Sequence, residues 1–597
     1  MLALCKVGRF AEAVTRSIAR GTDPAICVLL LLVSALTTAG CAATSPPVLE
    51  SRDILFAHAA VAADHPIASE AGLEMLRLGG NAVDAAVATS FCLSVVRPYS
   101  CGIGGGGFML IHVPATNGSE ARTIAINYRE TAPAAVGPDY FIKLDDPTAS
   151  RFGVHAVGVP GTVAGLAYAL KTYGTLDLPT VLAPAIRAAE QGVPADANFV
   201  AAANELAQDF EKHPGQREKA AAIWRDLCRS GQVKVGDNIR QPQQAAALRL
   251  IALHGPDAFY RGEIAHAIVA AMNAHGGPIT TDDLRNYKVV EMQPLRSDFR
   301  GHTILSMPPP SSGGIAMQQI FGILQRRWND FAGLKHTSFP YVHLVTEATK
   351  HAFADRSRWL ADPAFVDVPT GRLTSPEYLD QRAAAISMYE TSGPQSYGSS
   401  EPAKDDAGTS HLCVVDAGGM AVACTETINL TFGSLISVPG FGFALNNEMD
   451  DFTTTPGQPN AFGLTQSDRN LPAAGKRPLS SMSPTIVLKG GKAVMVAGAS
   501  GGPRIITGTT QCLLNCMLFD MTPVEAVAQP RFHHQWMPNV LQFEEGCVSQ
   551  LTIDHLKAYG HETGSIAKVG EVQMIRVTQD GIRAASDPRK GGRPAGY

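Results

Sequence analysis

What the sequence is short of narrows its function. It has no Cys-x-x-Cys pair, the usual source of thiolates for a structural zinc site. Charged residues make up 17% of the chain, with 49 Lys and Arg interspersed among 54 Asp and Glu for a net charge of −5. A nucleic-acid binder needs a basic patch or stripe, so that partner is set aside. The run Gly102-Ile103-Gly104-Gly105-Gly106-Gly107 has no Walker lysine and leads into the strand-like Phe108-Met109-Leu110-Ile111. Without a following helix there is no dipole to hold a phosphate, which argues against nucleotide binding. Ser480 and Ser481 lack the Gly-x-Ser-x-Gly surround of a serine-hydrolase elbow. The adjacent His533 and His534 point in different directions with no carboxylate cluster beside them, so they read as packing or hydrogen-bonding residues. No metal and no cofactor is expected, and no internal repeat is found.

Long apolar runs are also missing. Ala25 to Leu36, preceded by Arg9, Arg16 and Arg20, is too short to cross a bilayer comfortably but has the length of a signal h-region. Residues 1–41 are therefore expected to be an export signal, delivering the protein to the periplasm or the outer face of the cell envelope. Ala39-Gly40-Cys41 resembles the end of a bacterial lipoprotein signal, in which Cys41 would carry a lipid anchor. Thr38 stands where such signals usually have leucine, so simple secretion is the alternative and an uncleaved anchor the third. Eight of the 11 cysteines lie in the body of the chain, and an oxidising compartment permits disulfides without assigning them.

What is present suits a large layered fold. The chain has 597 residues, 45% of them hydrophobic, and 57 glycines for tight turns and close backbone approaches. Helical periodicity runs over Ile67–Leu78 up to Gly79-Gly80, and the apolar Ala82–Val96 follows Asn81. Strands are expected at Phe108–Ile111 and Ile124–Glu130, and a mostly helical region from Gly161 to about Arg382. Residues 388–408, rich in Ser, Gly, Glu, Asp and Pro, read as an exposed, mobile linker. Beyond it strand signals return, at Leu412–Asp416, Met420–Thr427, Ile486–Lys489 and Val494–Gly498, before a helix from Ile505 to about Leu518.

The chemistry centres on Gly408-Thr409-Ser410-His411, where polar loop residues run into the first arm of a hairpin. Cleavage of the Gly408–Thr409 bond would give Thr409 a free α-amine beside its own hydroxyl. With an ordinary pKa of about 7.7–8.0, that amine can take the hydroxyl proton without a histidine. Alternation along the second arm puts Thr425, Thr427 and Asn429 on one face.

Gly408 to His411, the Thr427/Asn429 pair, Asn446 to Phe452, Pro478 to Thr485 and Ser500 to Arg504 occur in one order. Together they closely resemble the γ-glutamyltranspeptidases, or glutathione hydrolases. Gly79 to Ala86, Gly104 to Met109, Arg129 to Pro133 and the tail ending Gly596-Tyr597 extend the resemblance from about residue 55 to the end. It implies an α+β fold, the four-layer αββα sandwich of N-terminal nucleophile hydrolases. It also implies a precursor that cuts itself into a large subunit, 42–408, and a small catalytic subunit, 409–597, which stay associated. Thr409 would be the nucleophile, first on the Gly408 carbonyl and then on the γ-carbonyl of glutathione or a related donor. Water or an amino-acid or peptide acceptor would take the acyl group. Thr427 would hold the nucleophile's amine, and Gly501 and Gly502 would form the oxyanion hole. Arg129, Ser480 and Ser481 would bind the donor's α-carboxylate, and Asn429, Glu448 and Asp451 its ammonium. One departure stands out: Phe462 occupies the position of a lid tyrosine that latches onto the equivalent of Asn429, so the lid bond cannot form. Two alternatives remain: a glutaryl-cephalosporin acylase on the same scaffold, and an uncleaved γ-glutamyl-binding scaffold.

Overall fold

The structure, a computed structural model, describes residues 54–116, 118–398, 408–454, 464 and 467–597. The export segment with Cys41, the lid residue Phe462 and positions 399–407 of the linker lie outside the described residues.

Two seven-stranded sheets, antiparallel throughout, make the centre of the molecule. One runs in the order Ala595–Gly596, Ala60–Ala63, Gly408–Val415, Ala421–Asn429, Gly106–Val113, Arg122–Tyr128 and Val290–Met292. The other runs Ile54–Phe56, Gly581–Ser586, Glu571–Thr578, Lys492–Ser500, Thr485–Lys489, His302–Ser306 and Leu295–Phe299. Each sheet mixes strands from both sides of position 408, and the final strand closes the edge beside Ala60–Ala63.

The sheets stack face to face, so their strands bury side chains on both sides. In Gly408–Val415, Cys413 and Val415 join the core between the sheets, while Leu412 and Val414 join the core under the helices Pro66–Arg77, Ala82–Val96 and Thr162–Tyr173. Ala82–Val96 is buried at every position, which its small residues permit, and an Asn81/Asp84 capping box starts it. On the far face, Gly313–Arg326, Phe339–Trp359 and Arg504–Phe519 form the fourth layer. This is the αββα sandwich.

Two expectations need correction. The region read as mostly helical also contributes three strands to the central sheets, Val290–Met292, Leu295–Phe299 and His302–Ser306. They are short strands towards the sheet edges, and their exposed faces carry charge, which dilutes the alternating apolar signal. The linker is not wholly exposed either. Tyr397 is buried with its hydroxyl donating to Glu347, Lys350 Nζ donates to Thr391 Oγ1 at 2.5 Å, and Trp536 Nε1 donates to Pro394 O at 2.9 Å. One aromatic ring and buried polar partners on the Phe339–Trp359 helix are enough to seat this stretch. The eight body cysteines are buried free thiols. No helix among the described residues is long and apolar enough to cross a membrane.

Candidate active site

The hairpin places the proposed nucleophile. Thr409 pairs with Thr427, and a register shift between Gly408 and Thr409 puts Gly408 opposite Asn429. Thr409, His411 and Cys413 therefore face the space between the sheets. The His411 ring packs against Gly498, where a Cβ would come within 2.2 Å of Cε1, and Thr425 Oγ1 lies 2.8 Å from its Nδ1. Burial pulls the His411 pKa down to about 3, so it is a neutral packing residue at working pH.

With the Gly408–Thr409 bond intact, Thr427 is the hub. Its hydroxyl donates to Gly408 O at 2.6 Å, and its oxygen accepts from Thr409 Oγ1 at 3.3 Å and from Asn429 N–H at 2.8 Å. The Gly408 carbonyl and the Thr409 hydroxyl thus share one partner. Asn429 takes a left-handed backbone, φ 75°, a conformation asparagine tolerates, and its Nδ2 donates to Asn447 O at 2.9 Å. The glycine run earns its composition here. A Cβ on Gly105 would lie 2.0 Å from Thr427 O and one on Gly107 2.5 Å from Thr425 O, so the run lets its strand lie against the hairpin.

Arg129 follows the strand Arg122–Tyr128, fully buried. Its Nη1 donates to Glu448 and its Nη2 to Asp451, while Nε reaches Pro478 O at 3.3 Å. Glu448 and Asp451 share one helical turn, anchored at Glu448 N by Asn446 Oδ1 and at Asp451 O by Asn470 Nδ2. Asp450 points elsewhere, to Ser150 and Arg151. Glu130 is a third carboxyl, its oxygens buried without a hydrogen-bond partner among the described residues. Burial raises the Glu130 pKa to about 7 against the pull of Arg129, and burial raises Glu448 and Asp451 as well. Burial opposes the charge on Arg129, but the carboxylates hold its pKa above the ordinary value.

Ser480 and Ser481 complete the far wall. Ser480 Oγ accepts from Met482 N–H at 3.1 Å, and Ser480 O accepts from Ser312 N–H at 2.7 Å. Gly501 and Gly502 have φ of 120° and 55°, a backbone few side chains allow, immediately before the helix Arg504–Phe519. A developing oxyanion there would meet the positive end of the helix. Arg129, Thr409, Thr427, Asn429, Glu448, Asp451, Ser480, Ser481 and Gly502 all line one cavity of about 20 Å³. Gly501 sits behind it, its absent Cβ 3.1 Å from Gly570 Cα.

Two residues escaped the sequence reading. Lys590, buried in the C-terminal tail, donates to Thr409 O and to Ser500 Oγ at 3.0 Å, and pairs with Asp64 at 2.9 Å. It ties the nucleophile's backbone to the residue before Gly501. Arg356 reaches Ser481 from behind, on the helix Phe339–Trp359. Neither belongs to a local pattern; the tail and the helix meet the site only through the fold.

His533 and His534 are buried and hydrogen-bonded, His533 to Thr507 at 2.9 Å and to Gln535 at 2.9 Å, His534 to Trp536 N–H at 2.9 Å. His343, Glu347 and His561 cluster closely enough to hold an ion. Their polar atoms are already engaged: His343 Nδ1 with His561 Nε2 at 2.8 Å, His343 Nε2 with Ser387 O at 2.7 Å, and Glu347 with Lys350, Thr391 and Tyr397.

The profile of the family described as Gamma-glutamyltranspeptidase matches residues 68–597. The chain belongs to that family. It is 41% identical over 539 residues to a glutathione hydrolase proenzyme of Escherichia coli strain K12, covering 89% of this chain and 90% of that protein. Over 595 residues it is 38% identical to glutathione hydrolase 2 of Arabidopsis thaliana, covering 96% and 98%. Among solved structures, cephalosporin acylase from Bacillus halodurans superposes with a TM-score of 0.79 at 27% identity, covering 93% of this chain and 98% of that one. Helicobacter pylori γ-glutamyltranspeptidase superposes with a TM-score of 0.51 at 34% identity, covering 59% and 97%. These likenesses agree with the sandwich read from the sheets and with family membership.

Proposed function

We propose that the chain is a self-cleaving precursor of a γ-glutamyl hydrolase and transferase acting on glutathione and related donors. The observation that carries the reading is the convergence of Thr409 with Arg129, Glu448 and Asp451 in one cavity. In maturation the Thr409 hydroxyl adds to the Gly408 carbonyl while the Thr427 hydroxyl holds that oxygen. The bond to the Thr409 nitrogen then breaks as that nitrogen takes up the hydroxyl proton, which frees the α-amine and leaves Gly408 esterified to Thr409 Oγ1; water hydrolyses that ester, releasing the Gly408 carboxylate and restoring the hydroxyl. That amine is the base in turnover. It takes the Thr409 hydroxyl proton as the oxygen attacks the γ-carbonyl, and the tetrahedral oxygen rests on the N–H groups of Gly501 and Gly502. The leaving amine departs protonated, and water or an acceptor amine resolves the γ-glutamyl-Thr409 ester.

The donor's α-carboxylate is assigned to Arg129, Ser480 and Ser481, and its ammonium to Glu448, Asp451 and Asn429. Large (42–408) and small (409–597) portions would stay together because each sheet pairs strands from both. Export through residues 1–41, with or without a lipid on Cys41, fits the same reading. The likeness to a cephalosporin acylase supports an alternative on the same fold, but a glutaryl group has no ammonium to satisfy Glu448 and Asp451. Intact-mass analysis with N-terminal sequencing tests the proposal: wild type should give a fragment beginning at Thr409 that hydrolyses a γ-glutamyl anilide. Thr409→Ala should give one uncut, inactive chain; the same fragments from both proteins would refute self-cleavage at this bond.

A further inference from the structure

Arg356 is a buried cation with too few partners. It is 2% exposed, its Nε donates to Ser312 Oγ at 3.0 Å and its Nη2 to Ser481 Oγ at 3.5 Å, and its Nη1 has no hydrogen-bond partner among the described residues. It makes no ion pair within 4 Å of a described carboxylate, and the Asp451 carboxylate supports its charge only from farther off. Open guanidinium N–H groups away from water are costly unless something anionic answers them. Burial lowers the Arg356 pKa to about 10, so it stays charged at neutral pH. Arg129, by contrast, is already committed to Glu448 and Asp451.

The contacts of Arg356 also set where protons point. Ser481 Oγ accepts from Arg356, which leaves its own O–H to turn towards the cavity that Ser481 lines. Ser480 Oγ accepts from Met482 N–H, which frees its proton in the same way. Ser312, held by Arg356, donates its hydroxyl to Ser480 O at 2.6 Å and so fixes the loop carrying both serines. A pair of hydroxyls whose protons are free to donate, with a positive charge behind them, fits a carboxylate better than a neutral group.

We propose that Arg356 is a positioning residue that makes the site select donors whose acyl group ends in a carboxylate, acting through Ser481; this rests on the γ-glutamyl reading above. The test compares γ-glutamyl anilide with 4-aminobutyryl anilide, which keeps the ammonium and lacks the carboxylate, using the processed full-length protein. Arg356→Gln should lower kcat/KM for the glutamyl donor about tenfold or more and change the aminobutyryl value less than about twofold. Arg356→Lys should recover most of the loss, and adding Ser481→Ala to Arg356→Gln should cost less than the product of the two single losses. Equal losses on both donors, or losses that multiply, would make Arg356 merely structural and overturn the proposal. Wild-type protein that hydrolyses neither donor overturns the underlying reading, and this inference with it.

Discussion

The maturation step puts a measurable load on one hydroxyl. In the uncut chain Thr427 donates to the carbonyl of Gly408 at 2.6 Å from a position 3% exposed, where no bulk water competes. Thr427→Val keeps the shape and removes that donor. It also strands the Asn429 N–H, which donates to Thr427 Oγ1 at 2.8 Å, and takes away the partner of Thr409 Oγ1. A preorganised donor on a developing oxyanion is worth about 2.7–4 kcal/mol, so self-cleavage should slow by about 10²–10³-fold. Thr427→Ser restores the hydroxyl without the methyl group and should process within about tenfold of wild type. The assay is an intact-mass time course of the freshly refolded chain, with urea unfolding to show that each variant folds. Wild-type processing by Thr427→Val, or a serine variant as slow as the valine one, would refute the role given to this oxygen.

Arg129→Lys keeps the charge but cannot fork between Glu448 and Asp451; KM for a γ-glutamyl donor should rise about 10–100-fold with a smaller change in kcat, and an unchanged KM would remove Arg129 from donor binding. Glu426 is fully buried against Ser90 and Tyr128, and burial raises its pKa to about 7. The folded form therefore binds a proton that the unfolded chain releases above its ordinary carboxyl pKa, so this stability is complete at acid pH and is lost as pH rises through about 7. Glu426→Gln should match wild type at acid pH and exceed it by on the order of 2–3 kcal/mol in urea unfolding at alkaline pH; parallel curves would mean that Glu426 stays ionised. A glutaryl anilide should be hydrolysed about 10²-fold less efficiently than the γ-glutamyl anilide, and comparable kcat/KM values would favour the acylase reading.

The hairpin that carries the proposed nucleophile was legible because its signals are local. Thr409, Thr427 and Asn429 lie on two strands whose alternation can be read directly, and the antiparallel pairing places Thr409 opposite Thr427. The pairing starts earlier than the apolar run suggests, since Gly408 and Thr409 carry no hydrophobic signal and are drawn into the ladder by Asn429 and Thr427. The glycines from Gly104 to Gly107 were noticed, but their reason was not. They let backbone lie against the backbone of the hairpin, a need that shows only once Thr425 O and Thr427 O are in place. Lys590 and Arg356 were invisible for the same cause: each is an ordinary basic residue in its own segment, at 181 and 125 positions' remove from the groups it holds. The strands between 290 and 306 were missed because Arg296, Ser297 and Asp298 mask the apolar Leu295 and Phe299.

The resting charges bear on which donor the site is built for. Arg129 is surrounded by Glu448, Asp451 and Glu130, and burial raises the pKa of all three carboxyls. Burial thus favours protons on this cluster over a set of buried anions, against the pull of Arg129, of Arg477 on Glu130 and of Arg356 on Asp451. A donor bringing only a carboxylate would compete for Arg129 and leave Glu448 and Asp451 without it. On the proposed assignment a zwitterion would bring a carboxylate for Arg129 and the serine pair, and an ammonium for the carboxylates that Arg129 would give up. Each broken pair is then replaced by another of the same sign pattern, at little electrostatic cost. The cavity of about 20 Å³ between these groups is too small for a glutamyl chain. A donor seated on the proposed residues would have to part Arg129 from Glu448 and Asp451, and a zwitterion could do so without stranding either side.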